Sequence, residues 1–213
     1  MNLTGYNPSV VAESLSALQN AYNDLATALT TTLQNRFVEG MADKWASPNA
    51  VTFFTGFQDT MNGVIIDADV IFSSVKGAMN SAAAQWAMSA GEGYSNIPFQ
   101  ENGNRINISS IQSEIGGVKG IDRDNASSTA NSALSAVQTD VESALSRANS
   151  AVQECGFIGG NQASNLQASL NQIQTNVNNA FSEIKQALEK AINDTVQQYN
   201  DTEGKISQAF AGN

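Results

Sequence analysis

The sequence predicts an all-α fold, two long antiparallel helical hairpins fused into an elongated four-helix bundle with an irregular linker between them. Three observations predict it. Proline is scarce, 3 in 213 residues, while Ala, Ser, Asn and Gln are abundant, a composition that suits long helices better than sheets. Four segments carry apolar residues at steps of three and four, the spacing that lines up one face of a helix. The halves of the chain also match one another at an almost constant offset, turn against turn as well as helix against helix.

The first helix is expected to start at "NPS", with Asn7 as the cap and Pro8 at the first helical position. Its stripe is Leu15, Leu18, Tyr22, Leu25, Leu29 and Leu33, and the pattern runs to about Asp43. The second is expected to start at "SPNA", with Ser47 capping and Pro48 in the first turn. It carries Phe53, Phe57, Val64, Ala68, Ile71, Val75, Met79, Ala83 and Trp86 at steps of three, four or seven. Gly56, Gly63 and Gly77 share one heptad position on that helix. Each costs roughly 1 kcal/mol against Ala, which predicts that another helix or the linker approaches closely there, with a ligand groove as the weaker alternative. Residues 89–120 break the pattern with Gly, Pro and Asn, and within them "RINIS" alternates as a short strand would. Helical periodicity returns from Asp122 to Glu154. "CGFIGGNQ" reads as a turn, and a last helix runs from about Asn161 to Phe210.

Tyr22, Leu25, Leu29 and Leu33 align with Leu134, Val137, Val141 and Leu145 at an offset of 112. The same offset places Trp45 and Ser47 on Phe157 and Gly159. Beyond the turn the offset becomes 113, and Phe53 through Trp86 map onto Leu166 through Tyr199. The chain therefore reads as a duplication: residues 1–88 form one hairpin with its turn at 44–48, residues 121–213 a second with its turn at 155–161. In each turn a small residue lets the backbone reverse and cap the next helix, and the aromatic closes the end of the apolar seam. Helices of roughly 36 residues span about 54 Å. In an antiparallel pair the linker must then run the length of the bundle, and Ile106, Ile108 and Ile111 are expected to be covered as it does so.

The turns "WAS" and "FIG" and the C-terminal "YNDTE" resemble the Trp-x-Gly (WXG) proteins, helical hairpins about half this length that are exported by type VII secretion systems of Gram-positive bacteria. Members of that family pair into antiparallel four-helix dimers and carry a Tyr-x-x-x-Asp/Glu motif near the end of the second helix. The resemblance implies a tandem, early-secreted-antigen-like protein in which one chain supplies both hairpins and is a monomer. Tyr199 and Glu203 stand one helical turn apart on one face and match the motif. In the first half the equivalent pair is Trp86 and Ala90, so a single export signal is expected, at Tyr199 and Glu203. The plainer reading is that Tyr199 closes the apolar stripe and Glu203 is solvated. The implied partners are the secretion ATPase and its machinery, together with another helical secreted protein.

Composition narrows the remaining classes. A net charge of −10 and no His disfavour nucleic acid and anionic membranes as partners and remove the commonest general base and metal ligand. The single Cys155 allows neither an internal disulfide nor a cysteine zinc site. No Gly-rich phosphate loop and no carboxylate cluster at metal spacing is found, so neither an enzyme nor a cofactor is expected. No run of about 18 apolar residues predicts a spanning helix. "MNLTGYNPSVV" lacks the charged and apolar regions of a Sec signal, so an extracellular destination would need a route that reads folded or C-terminal features. Two alternatives remain open. A membrane-active helical toxin is disfavoured by the absence of basic faces. An intracellular or phage helical scaffold would share the composition without the repeated turn.

Overall fold

A computed structural model describes residues 7–155 and 161–211. The elements are α1 (Pro8–Thr27), α2 (Glu39–Ala42), β1 (Trp45–Ala46), α3 (Pro48–Ser89), β2 (Gly120–Ile121), α4 (Arg123–Glu154) and α5 (Asn161–Ala211). Two π-helical segments, Ala28–Thr32 and Gln34–Val38, join α1 to α2 into one rod. The fold is an all-α bundle of four helical rods.

The first rod begins where the cap chemistry puts it. The Asn7 side chain accepts from the Ser9 and Val10 amides, and Pro8 follows at the first helical position. The π segments answer a feature of the sequence. Leu25, Leu29, Leu33, Phe37 and Met41 recur every four residues, and all are buried. In a helix of 3.6 residues per turn each step of four over-rotates by about 40°, so such a stripe drifts off the core. The wider π turns wind it back.

Trp45 and Ser47 form the first reversal. Ser47 is buried in extended conformation, and its Oγ accepts from the Ala50 amide at 3.1 Å, capping α3. Trp45 is fully buried, its ring 5.9 Å from Phe53 and 6.4 Å from Phe54. β1 pairs antiparallel with β2, Trp45 opposite Ile121, and the Asp122 amide donates to the Lys44 carbonyl at 2.8 Å. The turn is thereby stitched to the start of α4, where Asp122 caps the Asn125 amide.

Contacts between rods fix their directions. Asp24 meets Arg147 and Gly40 faces Thr129, so the first rod and α4 run antiparallel. Asn49 bonds Thr195 and Asp67 bonds Asn176, so α3 and α5 also run antiparallel. Arg123–Asn193 and Asn149–Asn171 close the second hairpin. The Trp45 turn consequently lies at one pole, and the end of α4 at Glu154 at the other. The expected turn residues Phe157 and Gly159 lie outside the described residues.

Two local expectations are corrected. Gly56, Gly63 and Gly77 are exposed, and a Cβ on any of them would meet nothing within 4 Å. No helix or linker comes into contact with them. The close approach is at Gly40, where a Cβ would sit 3.0 Å from Thr129 Cγ2 on α4. "RINIS" forms no strand, because its main chain is bonded to side-chain amides rather than to a neighbouring strand. Ile106 and Ile111 are buried and Ile108 half-buried, so the linker isoleucines are covered as expected.

Candidate functional site

Two surfaces stand out, one at each level of the bundle: a projecting helix end at the Trp45 pole, and a groove along the α1/α3 face.

α5 is the longest rod, 51 residues against 42 for α3. Asn49, near the start of α3, is matched to Thr195, and Tyr199 is the last partly buried position of α5, so the residues after it overshoot the bundle. At 1.5 Å per residue the overshoot from Tyr199 to Ala211 is about 18 Å. Residues 200–210 are all exposed. Tyr199 is half-buried at the root of this stub and Glu203 is exposed one turn on. Ile206 and Phe210 continue the same face at 51% and 79% exposure, so the apolar seam of α5 runs on where no other rod faces it. Sequence reasoning placed Tyr199 and Glu203 here but missed Ile206 and Phe210; their seven- and eleven-residue spacing from Tyr199 was the available signal. At this pole the linker also forms a tight hairpin, Ile115 paired with Val118 across Gly116 and Gly117, both at positive φ. Its Ile115 and Val118 are exposed beside the Trp45 turn. The structure brings the Tyr199–Glu203 stub to the same pole as Trp45 and Ser47, but those two are interior and cannot meet a partner directly.

The second surface is occupied by the chain itself. From Ile97 to Ile108 the linker lies between α1 and α3, running parallel to α1. Asn80 bonds Ile97 near one end and Gln58 bonds Ile108 near the other. Those helix positions are about 33 Å apart, so eleven residues advance about 3 Å each, close to full extension. Phe99 packs edge-on to Tyr22 with ring centroids 4.6 Å apart.

The buried ionisable groups of the first hairpin belong to this groove. Asp69 accepts from the Tyr22 hydroxyl at 2.7 Å and from Arg105 Nη2 at 2.9 Å, and Arg105 also reaches Glu101. Burial pushes the Asp69 carboxyl above its ordinary value, against the opposing pull of Tyr22 and Arg105. Burial likewise raises the Tyr22 phenol well above its usual range, with Asp69 adding to the effect. Lys76, buried with its ammonium on Gln19 Oε1 at 2.9 Å, is lowered by desolvation. Among the described residues no three His, Cys, Asp or Glu side chains are grouped as metal ligands would be. Cys155 is buried with its thiol on the Val152 carbonyl. The arrangement presents an exposed apolar helix end and a groove that holds extended chain.

No family model, no curated protein and no solved structure matches this chain.

Proposed function

We propose that the protein is a secreted, non-enzymatic interaction protein, the single-chain equivalent of a WXG dimer and a substrate or partner of a Gram-positive type VII secretion system. The observation that carries the reading is the α5 stub. One helix end of an otherwise closed antiparallel bundle projects into solvent, and it bears Tyr199 and Glu203 one turn apart beside an unpaired apolar face. A recognition element read after folding needs that placement, since a partner must reach it without opening the bundle. The Trp45–Ser47 reversal supports the same reading by closing the seam of the first hairpin with an aromatic and a small capping residue. In this proposal the secretion ATPase binds the stub, a helical secreted partner is the second candidate for the exposed pole, and the bundle needs no other copy of itself to be complete.

The test is Glu203→Ala in the native host. Glu203 is exposed and makes no hydrogen bond or ion pair among the described residues, so the substitution should change stability by less than ~0.5 kcal/mol and leave the helical spectrum intact. Export to the culture medium should be lost. A folded Glu203→Ala protein that is exported at the normal level would remove the stub from the argument.

A further inference from the structure

The linker is held in an unusual way. Four carboxamide side chains each bond both the N–H and the C=O of a single linker residue: Asn80 on Ile97, Gln19 on Gln100, Asn62 on Ile106 and Gln34 on Asn107, at 2.6–3.3 Å. Two of the four come from the α1 rod and two from α3, so the clamps alternate across the groove. These amides pair with the linker as a neighbouring strand would, and they read main chain, which any residue but proline presents. Side-chain selectivity enters at few points. Ile106 and Ile111 are buried against the core, Phe99 sits on Tyr22, and Arg105 reaches the buried Asp69 carboxylate.

The linker also has the marks of a ligand rather than of a structural element. It has no helix or sheet of its own between Gly91 and Ile111. Glycines at positive φ lie on either side of it, Gly91 before and Gly116 and Gly117 after, with Gly103 turning within it, and half of its clamp bonds lie at exposed residues. Segments held through solvent-exposed hydrogen bonds open at lower free energy than the core they cover.

We propose that the α1/α3 groove is a receptor for an extended peptide and that the linker is its resident ligand in cis. The partner that fits is an extended segment of another protein carrying a basic residue followed by apolar-x-apolar, as Arg105-Ile106-Asn107-Ile108 does. Its cation meets Asp69, its main chain meets the four amides, and its apolar side chains fill the Ile106 and Ile108 positions. The tethered linker competes at high effective concentration, so the groove is closed until that segment displaces it.

The experiment uses the full chain with protease sites placed in the exposed glycine loops at 91–93 and 116–117. Cutting leaves the linker held by non-covalent bonds alone. The probe is a fluorescent synthetic peptide of residues 94–113. It should exchange into the cut protein saturably, and unlabelled peptide should compete with it. An Arg105→Ala peptide should bind about tenfold more weakly, the scale of one charge-assisted hydrogen bond. A peptide N-methylated at Ile106 and Asn107 should bind far more weakly, because Asn62 and Gln34, two of the four clamps, would lose the N–H groups they accept. Equal binding of native and N-methylated peptides, or no binding to a cut protein that keeps its helical spectrum, overturns the proposal. Hydrogen exchange on the uncut protein gives a second readout that does not depend on the cut form folding. The Ile97, Gln100, Ile106 and Asn107 amides should exchange faster than buried α3 amides. Exchange of all of them only by global unfolding would make the linker an integral part of the core and refute its role as a displaceable ligand.

Discussion

Trp45→Ala tests the closure of the first hairpin. Trp45 is fully buried and heads the largest buried side chains of the bundle. Its ring lies in a cluster with Phe53 and Phe54, and Phe37 packs 5.3 Å from Phe54 behind it. Truncating a buried Trp to Ala costs about 3–5 kcal/mol when the site cannot collapse. Here the surrounding groups are rings on two rods and a β-bridge, which cannot move into the space together. One term opposes the loss. Trp45 Nε1 is buried without a hydrogen-bond partner among the described residues, and removing an unsatisfied donor returns about 1 kcal/mol. The expected cost is therefore about 3 kcal/mol. For a domain of this size that lowers the melting temperature by roughly 6–12 °C, read by circular dichroism and checked by denaturant titration. Trp45→Phe separates the two terms, keeping a ring and removing the orphan donor, and should cost less than ~1.5 kcal/mol. An unchanged midpoint for Trp45→Ala would refute the reasoning and make Trp45 a surface residue.

Gly63→Ala should raise stability by ~0.5–1 kcal/mol, because the position is exposed helix with open space around it. Gly40→Ala should gain less, since its Cβ meets Thr129 Cγ2 at 3.0 Å, and adding Thr129→Ser should restore the difference in thermal melts. Asp69→Asn should change the pH dependence of melting. The folded Asp69 carboxyl titrates above its ordinary 3.8, so its contribution is complete below that value and is lost as pH rises through the folded pKa. The melting temperature of the native protein relative to Asp69→Asn should fall across that window, and a flat or rising difference would contradict burial as the dominant cause.

The rods and caps were legible in the sequence because they rest on local rules. Asn7-Pro8 and Ser47-Pro48 sit where cap chemistry and the fixed φ of proline put a helix start, and the apolar steps from Phe53 to Ala83 can bury only one face. The linker path was legible from length alone, since an antiparallel arrangement leaves it no shorter route. What the sequence hid was pairing between distant residues. Gln19, Gln34, Asn62 and Asn80 are four amides among many in an Asn- and Gln-rich chain, and nothing local distinguishes a clamp from a solvated side chain. The alternation in "RINIS" was correctly a sign of extended backbone. It misled only about the partner, because a side-chain amide offers the same donor and acceptor as a strand and leaves no periodic trace. The glycines failed for the opposite reason. Shared heptad spacing shows that residues lie on one face, not that the face is covered, and the rod that needed a glycine to let its neighbour approach was the one containing Gly40.

The π segments and the α5 stub are consequences of one constraint. Four rods of unequal length must share a seam, and each rod can adjust either its winding or its end. The first rod is bounded by Asn7-Pro8 at one end and by the Trp45 reversal at the other, so its four-residue apolar repeat is accommodated by winding, through Ala28–Thr32 and Gln34–Val38. α5 has no reversal to meet within the described residues after Thr195. Its heptad pattern simply continues past the end of α3, and the excess appears as a projecting turn-by-turn extension of the buried seam. Tyr199 marks the point where that seam leaves cover, half-buried between Thr195 inside and Glu203 outside. A stub of this kind exposes apolar surface without loosening the bundle, because the side chains beyond Tyr199 contribute nothing to the shared core. The surface on which recognition is proposed is thus the part of the molecule that stability leaves free to vary.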